Sequence, residues 1–199
     1  MPYSASTFLE AVNTVLSAIG ELPVTTYTST GNADVEAAVA VLNEVSKEVQ
    51  TEGWHFNIEK DVTYTPVASQ ITLPSNVFWV EPSMKSADRL TMRNGKLYNL
   101  SSQSYTFTSN IDLNQIVILD WTDLPEVARR YITVRAARIF TDRYLPNQVT
   151  HMFTLQDEQR ARSQLEQREG DEADYTVFDN NHSRQITWRG YGPLDRFPY

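Results

Sequence analysis

His55, His151 and His182 are the three imidazoles of the chain, and their separations match neither an HExxH pair nor any other close metal-ligand spacing. There is no cysteine, which removes thiolate nucleophiles, disulfides and cysteine-based zinc sites together. No GxSxG elbow, P-loop or GxGxxG fingerprint occurs, and seven glycines are few for phosphate-cradling loops. What remains is paired carboxylates. A glycosidase needs two acids roughly 5 to 10 Å apart, and Asp120 with Asp123, or Glu59 with Asp61, offers such a pair. Three of the four also have a plainer reading: Asp123 caps a helix, Asp120 ends a strand and Glu59 lies on a solvated edge. The pattern points away from catalysis, and no metal or cofactor is expected.

Charge narrows the class further. Seventeen basic residues face 25 acidic ones, a formal charge of -8. That balance argues against a surface that grips nucleic acid by neutralising phosphates, while allowing one past which DNA slides. Apolar residues make up 41% of the 199, enough for one core or two small packed lobes. No run approaches the ~20 apolar residues of a membrane helix. The start, MPYSASTFLEAVNTVLSAIG, lacks a basic segment and carries Glu10 within its apolar face, so a secretory signal is not expected.

The elements that must position these residues fall into a helix, strand, helix order. Thr7 and Glu10 have capping-box spacing ahead of Phe8, Val12, Val15, Leu16 and Ile19. Gly20 and Pro23 end that helix. Asn32 or Asp34 caps a second helix with a stripe of Val35, Val39, Leu42, Ser46 and Val49, widened by Ala38, Val41 and Val45. Beyond Gly53 the period drops to two: Trp54, Phe56 and Ile58 alternate with polar residues, which predicts a strand starting almost at once. Short β-rich runs follow (QITLP, NVFWVEP, SYTFTS, QIVILDW), and Asn94-Gly95 marks a hairpin. Helix returns with Asp123 and Glu126 at capping spacing, and Val127, Tyr131, Val134 and Arg138 on one face. Pro146 interrupts it. A polar helix then runs from about Gln148 to Gln167 on Phe153, Leu155 and Leu165. The expected class is α+β, a helical bundle assembled from N- and C-terminal helix pairs, with a small antiparallel β lobe inserted and an extended C-terminal arm. Its segments are 1-53 and 122-169 for the bundle, 54-121 for the lobe and 170-199 for the arm.

Two residue groups suit contact rather than chemistry. Arg129, Arg130, Arg135, Arg138 and Arg143 crowd one helix of an acidic chain. Their forked guanidinium groups fit salt bridges between subunits, or equally local pairs such as Glu126 with Arg130. In the arm, Trp188, Arg189, Tyr191, Phe197 and Tyr199 are residue types that anchor interfaces, and they either meet a partner or fold back on their own domain.

The segment GWHFNIE, Gly53 to Glu59, resembles tail tubular protein A of short-tailed bacteriophages, the adaptor between portal and tail nozzle. AVNTVLSAIGELPV and NADVEAAVAVLNEVSKEVQTEGW resemble that family's first two helices, and LDWTDLPEVARRYITVRAARIFTDRY its return to the bundle. The likeness runs from Ala11 to about Gln167 and is weak in the lobe beyond Ile58. It implies a structural virion protein, made in the host cytoplasm, forming a twelve-membered ring. Its partners are other copies of itself, the portal, the nozzle (tail tubular protein B) and tail fibres, and genome DNA passes through the lumen without specific binding. On that reading Gly53, Trp54 and Phe56 form the hinge between bundle and lobe. Arg129, Arg130, Arg135 and Arg138 lie between subunits, and Trp188, Arg189, Tyr191 and Phe197 meet the portal. The alternatives are a neck or head-completion protein of another tail type and a virion-associated polysaccharide hydrolase.

Overall fold

The computed structural model describes residues 5–28, 31–83, 89–145 and 148–172. Helix α1 spans Phe8–Ser17, with Thr7 and Glu10 forming the reciprocal capping box that their spacing predicts. Helix α2 spans Ala33–Thr51, capped by the Asn32 side chain. The helical return comprises α3, Glu126–Tyr144, and α4, Gln148–Glu172.

Among the described residues, five strands lie between α2 and α3: β1 Ile58–Tyr64, β2 Val77–Pro82, β3 Leu90–Arg93, β4 Lys96–Asn99 and β5 Ile111–Val117. They form an antiparallel sheet in the order β1-β5-β2 and a separate β3-β4 hairpin. Asn94 and Gly95 turn that hairpin with φ of 52° and 68°, as their types require. The runs QITLP and SYTFTS contribute isolated bridges instead of strands, and Ile71, Leu73 and Phe107 from them plug the lobe interior.

Two apolar clusters result. One joins all four helices through Leu16, Leu42, Tyr131, Ile132, Phe140 and Leu165. The other fills the lobe with Val77, Val80, Leu97, Leu113 and Val117. Leu119 packs against both. The α+β class is therefore present, with the sheet built from one continuous stretch between helix pairs.

Several local expectations are corrected. The strand does not begin at Trp54: a 3-10 turn, His55–Asn57, intervenes, and Trp54 is buried among the helices. The left-handed Gly53 (φ 78°) turns the chain before any alternation can start. Asp123 does not cap α3. It closes a second 3-10 turn, Trp121–Asp123, and Pro125 occupies the cap position. The buried face of α3 is rotated from the expected one, with Ala128, Tyr131, Ile132, Ala136 and Phe140 innermost and Val127, Val134 and Arg138 at its margin. On α4, Leu165 is buried but Leu155 is exposed, and the helix continues through Gly170.

Candidate functional site at the junction of bundle and lobe

The last turn of α2 carries Gln50, fully buried although polar. Its Nε2 donates to the Ser46 hydroxyl (3.1 Å) and to the Leu119 carbonyl (3.2 Å), and its Oε1 accepts from the Leu119 N–H at 2.7 Å. One amide thus closes both main-chain groups of a residue 69 positions away. Asn57, also buried, donates to the carbonyls of Gln50 (2.8 Å) and Val117 (3.0 Å) and accepts the Trp54 N–H at 2.8 Å. Buried amides with every partner supplied hold a single geometry, because any shift exposes an unpaired group to an apolar interior.

Around this polar knot sits the predicted hinge. Trp54 donates its indole N–H to the Val49 carbonyl at 2.8 Å and lies parallel to Phe56, ring centres 6.4 Å apart. A Cβ on Gly53 would stand 2.8 Å from Ile116 Cδ1 on β5. The sheet therefore approaches α2 as closely as a bare backbone permits. From the other side, Arg162 of α4 lies over the rings of Trp54 and Tyr131, at 5.2 and 5.5 Å. The hydrogen bonds that Arg162 donates to Glu52, then to Glu166 and Tyr131, raise its pKa in spite of partial burial. His55 binds Glu169 through its N–H (2.6 Å) and Nδ1 (2.7 Å), fixing the last turns of α4 to the junction.

The arginines of α3 face inward and sideways within the chain. Arg129 is buried and donates to the carbonyls of Leu124, Ser6 and Thr122. Arg138 meets the buried Glu158 of α4 and Asp142, while Arg135 reaches Glu48 (2.6 Å), the Tyr131 hydroxyl and Glu158. Burial works against the charge of Arg135, yet Tyr131, Glu48 and Glu158 raise its pKa overall. Arg143 forks onto both oxygens of Glu44 at 2.8 Å. Arg130 and Arg143 are the exposed members of the set. Glu126 does not take the local Arg130 pairing; it accepts from the N–H and hydroxyl of Ser6.

Neither carboxylate pair lies together in the two cavities described among these residues. A cavity of about 780 Å3 between α1, α2 and the second 3-10 turn is bounded by Phe8, Tyr27, Val39, Trp121 and Arg129, and Asp120 is the single acid among its described lining residues. Glu59 is held by Gln115, and Asp61 sits at the β1 bulge with φ 55°. Among the described residues no group of three His, Asp or Glu could hold a metal, and no helix is long and apolar enough to cross a membrane. The arrangement serves rigid coupling: the lobe is bolted to the helices by side chains from α2, β5 and α4.

Residues 9–175 match the family described as tail tubular protein. The chain belongs to the tail tubular protein family. A curated relative, tail tubular protein A of Klebsiella phage KP34, is 32% identical over 125 residues, covering 62% of this chain and 66% of the relative, just under two thirds of its length. The family is one of structural tail proteins, and the chain is a structural component of a phage tail.

For this tail tubular protein, then, the structure brings Gly53, Trp54 and Phe56 together and adds Gln50, Asn57, Ile116 and Leu119, which the sequence reading passed over. One signal was available: Ser46 and Gln50 lie four apart on the apolar face of α2, where two polar residues in succession call for a partner. Trp188, Arg189, Tyr191 and Phe197 lie outside the described residues.

Proposed function

We propose that this tail tubular protein is the adaptor subunit that joins a portal to the tail nozzle, twelve copies closing into a ring whose lumen passes the genome. The observation that carries the reading is the family match across residues 9–175. The rigid junction supports it: a heterologous ring needs two fixed patches per subunit, and bundle and lobe held in one orientation by Gln50 and Asn57 supply that. The formal charge of -8 suits a channel wall from which phosphate is repelled. Arg130 on the exposed side of α3 is the guanidinium best placed for a neighbouring subunit, with Arg129, Arg135 and Arg138 shaping the helix that presents it. The arm aromatics Trp188, Tyr191 and Phe197, with Arg189, reach the portal. The nozzle protein and tail fibres complete the partners, and no cofactor takes part.

Mass measurement of the protein alone and mixed with portal tests the proposal. A ring formed on the portal is the expected result. A subunit that stays monomeric beside assembled portal, or that binds duplex DNA tightly at physiological salt, overturns it.

A further inference from the structure

The sheet has an outer face that the lobe core does not use. Ile58, Ile116 and Trp79 lie directly opposite one another across β1, β5 and β2, on the side away from Leu113, Val117 and Val80. Trp79 is 44% exposed, and Phe78, displaced at the β2 bulge, is 49% exposed. Two large neighbouring aromatics facing solvent are an unfinished interface. The row floors a depression of about 200 Å3 bounded by Glu52, Gly53, Lys60, Glu81 and Asn114. The free edge of β1 is guarded by the bulge at Asp61 and by charged Glu59 and Lys60, so the face, not the edge, is the accessible element.

The second half of α4 is tied to residues on or next to that rim. Glu169, three residues before the end of α4, is hydrogen-bonded to His55, and Arg162 binds Glu52 on the rim of the depression. Residues 173–199 follow α4 in sequence, and extended chain covers about 3.3 Å per residue, so the stretch ahead of Arg184 can span tens of ångströms. Their composition fits the face. Ile186 and Trp188 are apolar residues two apart, the spacing that places both on one side of an extended segment. Arg184 and Arg189 flank them, opposite a rim that carries Glu81 and Lys60 beside the Arg162-paired Glu52.

We propose that the segment Arg184 to Arg189 of the same chain docks on the Ile58–Ile116–Trp79 face, covering Trp79 before any virion partner is met. This rests on the arm being a docking segment, not on the ring or the portal, so a test on the isolated full chain separates it from the adaptor reading. Because the protein has no cysteine of its own, Lys60→Cys with Thr187→Cys gives a clean disulfide probe under mild oxidation. The comparison pair is Asp157→Cys with Thr187→Cys, Asp157 being 63% exposed on α4. An intrachain disulfide forming at least about tenfold faster in the first pair is expected. Equal rates overturn the proposal, and so do disulfides mainly between chains, which would make the face a contact between copies. A second measurement needs no cysteine: in the full chain, Trp188→Ser should shift the Trp79 indole N–H resonance, and an unmoved resonance overturns the docking.

Discussion

The Gln50 side chain binds both the N–H and the C=O of Leu119, so the end of α2 and the strand leaving the lobe are joined as if by one rung of a sheet. The amide is fully buried and the Leu119 groups it pairs are part-buried. Gln50→Ala should therefore lower unfolding free energy by about 1–3 kcal/mol, the cost of unpairing part-buried main-chain groups. Denaturant unfolding of the variant is the measurement, and an unchanged midpoint would show that the lobe is held by packing alone.

Gly53 makes a second, separable contribution. Alanine there must hold φ at 78° and place its Cβ 2.8 Å from Ile116 Cδ1. The backbone part costs about 1 kcal/mol and the contact a similar amount more. Ile116→Val deletes the Cδ1 atom and leaves the backbone angle alone. Gly53→Ala should then be about half as destabilising in the Ile116→Val background as in the native one, a coupling that a double-mutant cycle reads directly.

How much of this was legible beforehand follows from the range of each interaction. The capping box of Thr7 and Glu10, the Asn94-Gly95 turn and the stripe on α2 are local, and the sequence displays them whole. The Gln50 to Leu119 rung spans 69 residues, and only the placement of the lobe brings its ends together. The strand expected at Trp54 failed because a single left-handed glycine reorients the chain, and alternation alone does not distinguish a 3-10 turn from the first residues of a strand. Glu158 is the clearest miss. On a helix as charged as α4 it reads as solvent-facing, yet it is 7% exposed and answers Arg138 and Arg135 from across the α3–α4 interface.

Glu158 gives a third prediction. Its removal leaves two arginines without their shared carboxylate in a partly enclosed site, where side-chain exposure of Arg135 and Arg138 is 21% and 17%. Glu158→Ala should cost about 2–4 kcal/mol, since breaking one member of a buried charged network is worse than never having built it. Thermal melts compare it with Glu166→Ala, whose carboxylate is 54% exposed and should matter by less than about 1 kcal/mol. Equal losses would refute the buried network.

The start of α1 carries a pH signature. The Thr7 backbone N–H, and then its hydroxyl, hold the Glu10 carboxyl below its ordinary value of 4.5. A depressed folded value means the cap contributes above the unfolded value and is lost as pH falls through the folded one. Glu10→Gln should thus melt lower than the native chain near neutrality and match it in acid, below the folded value. A difference between the two that persists unchanged at low pH would contradict the linkage.

The close of α4 decides where the arm can be removed. Glu169 ties the helix to His55, so a chain ending at Glu172 keeps that contact, whereas one ending at Glu166 loses it along with the last turn. The first truncation should melt within a degree or two of the full chain but bind portal at least about tenfold more weakly. The second should also melt measurably lower, because the end of the helix is no longer held at the junction. Calorimetry and portal pull-down separate the two effects. Full portal binding by the chain ending at Glu172 would remove Trp188, Arg189, Tyr191 and Phe197 from the attachment, leaving Arg130 and the outer side of the bundle to carry it.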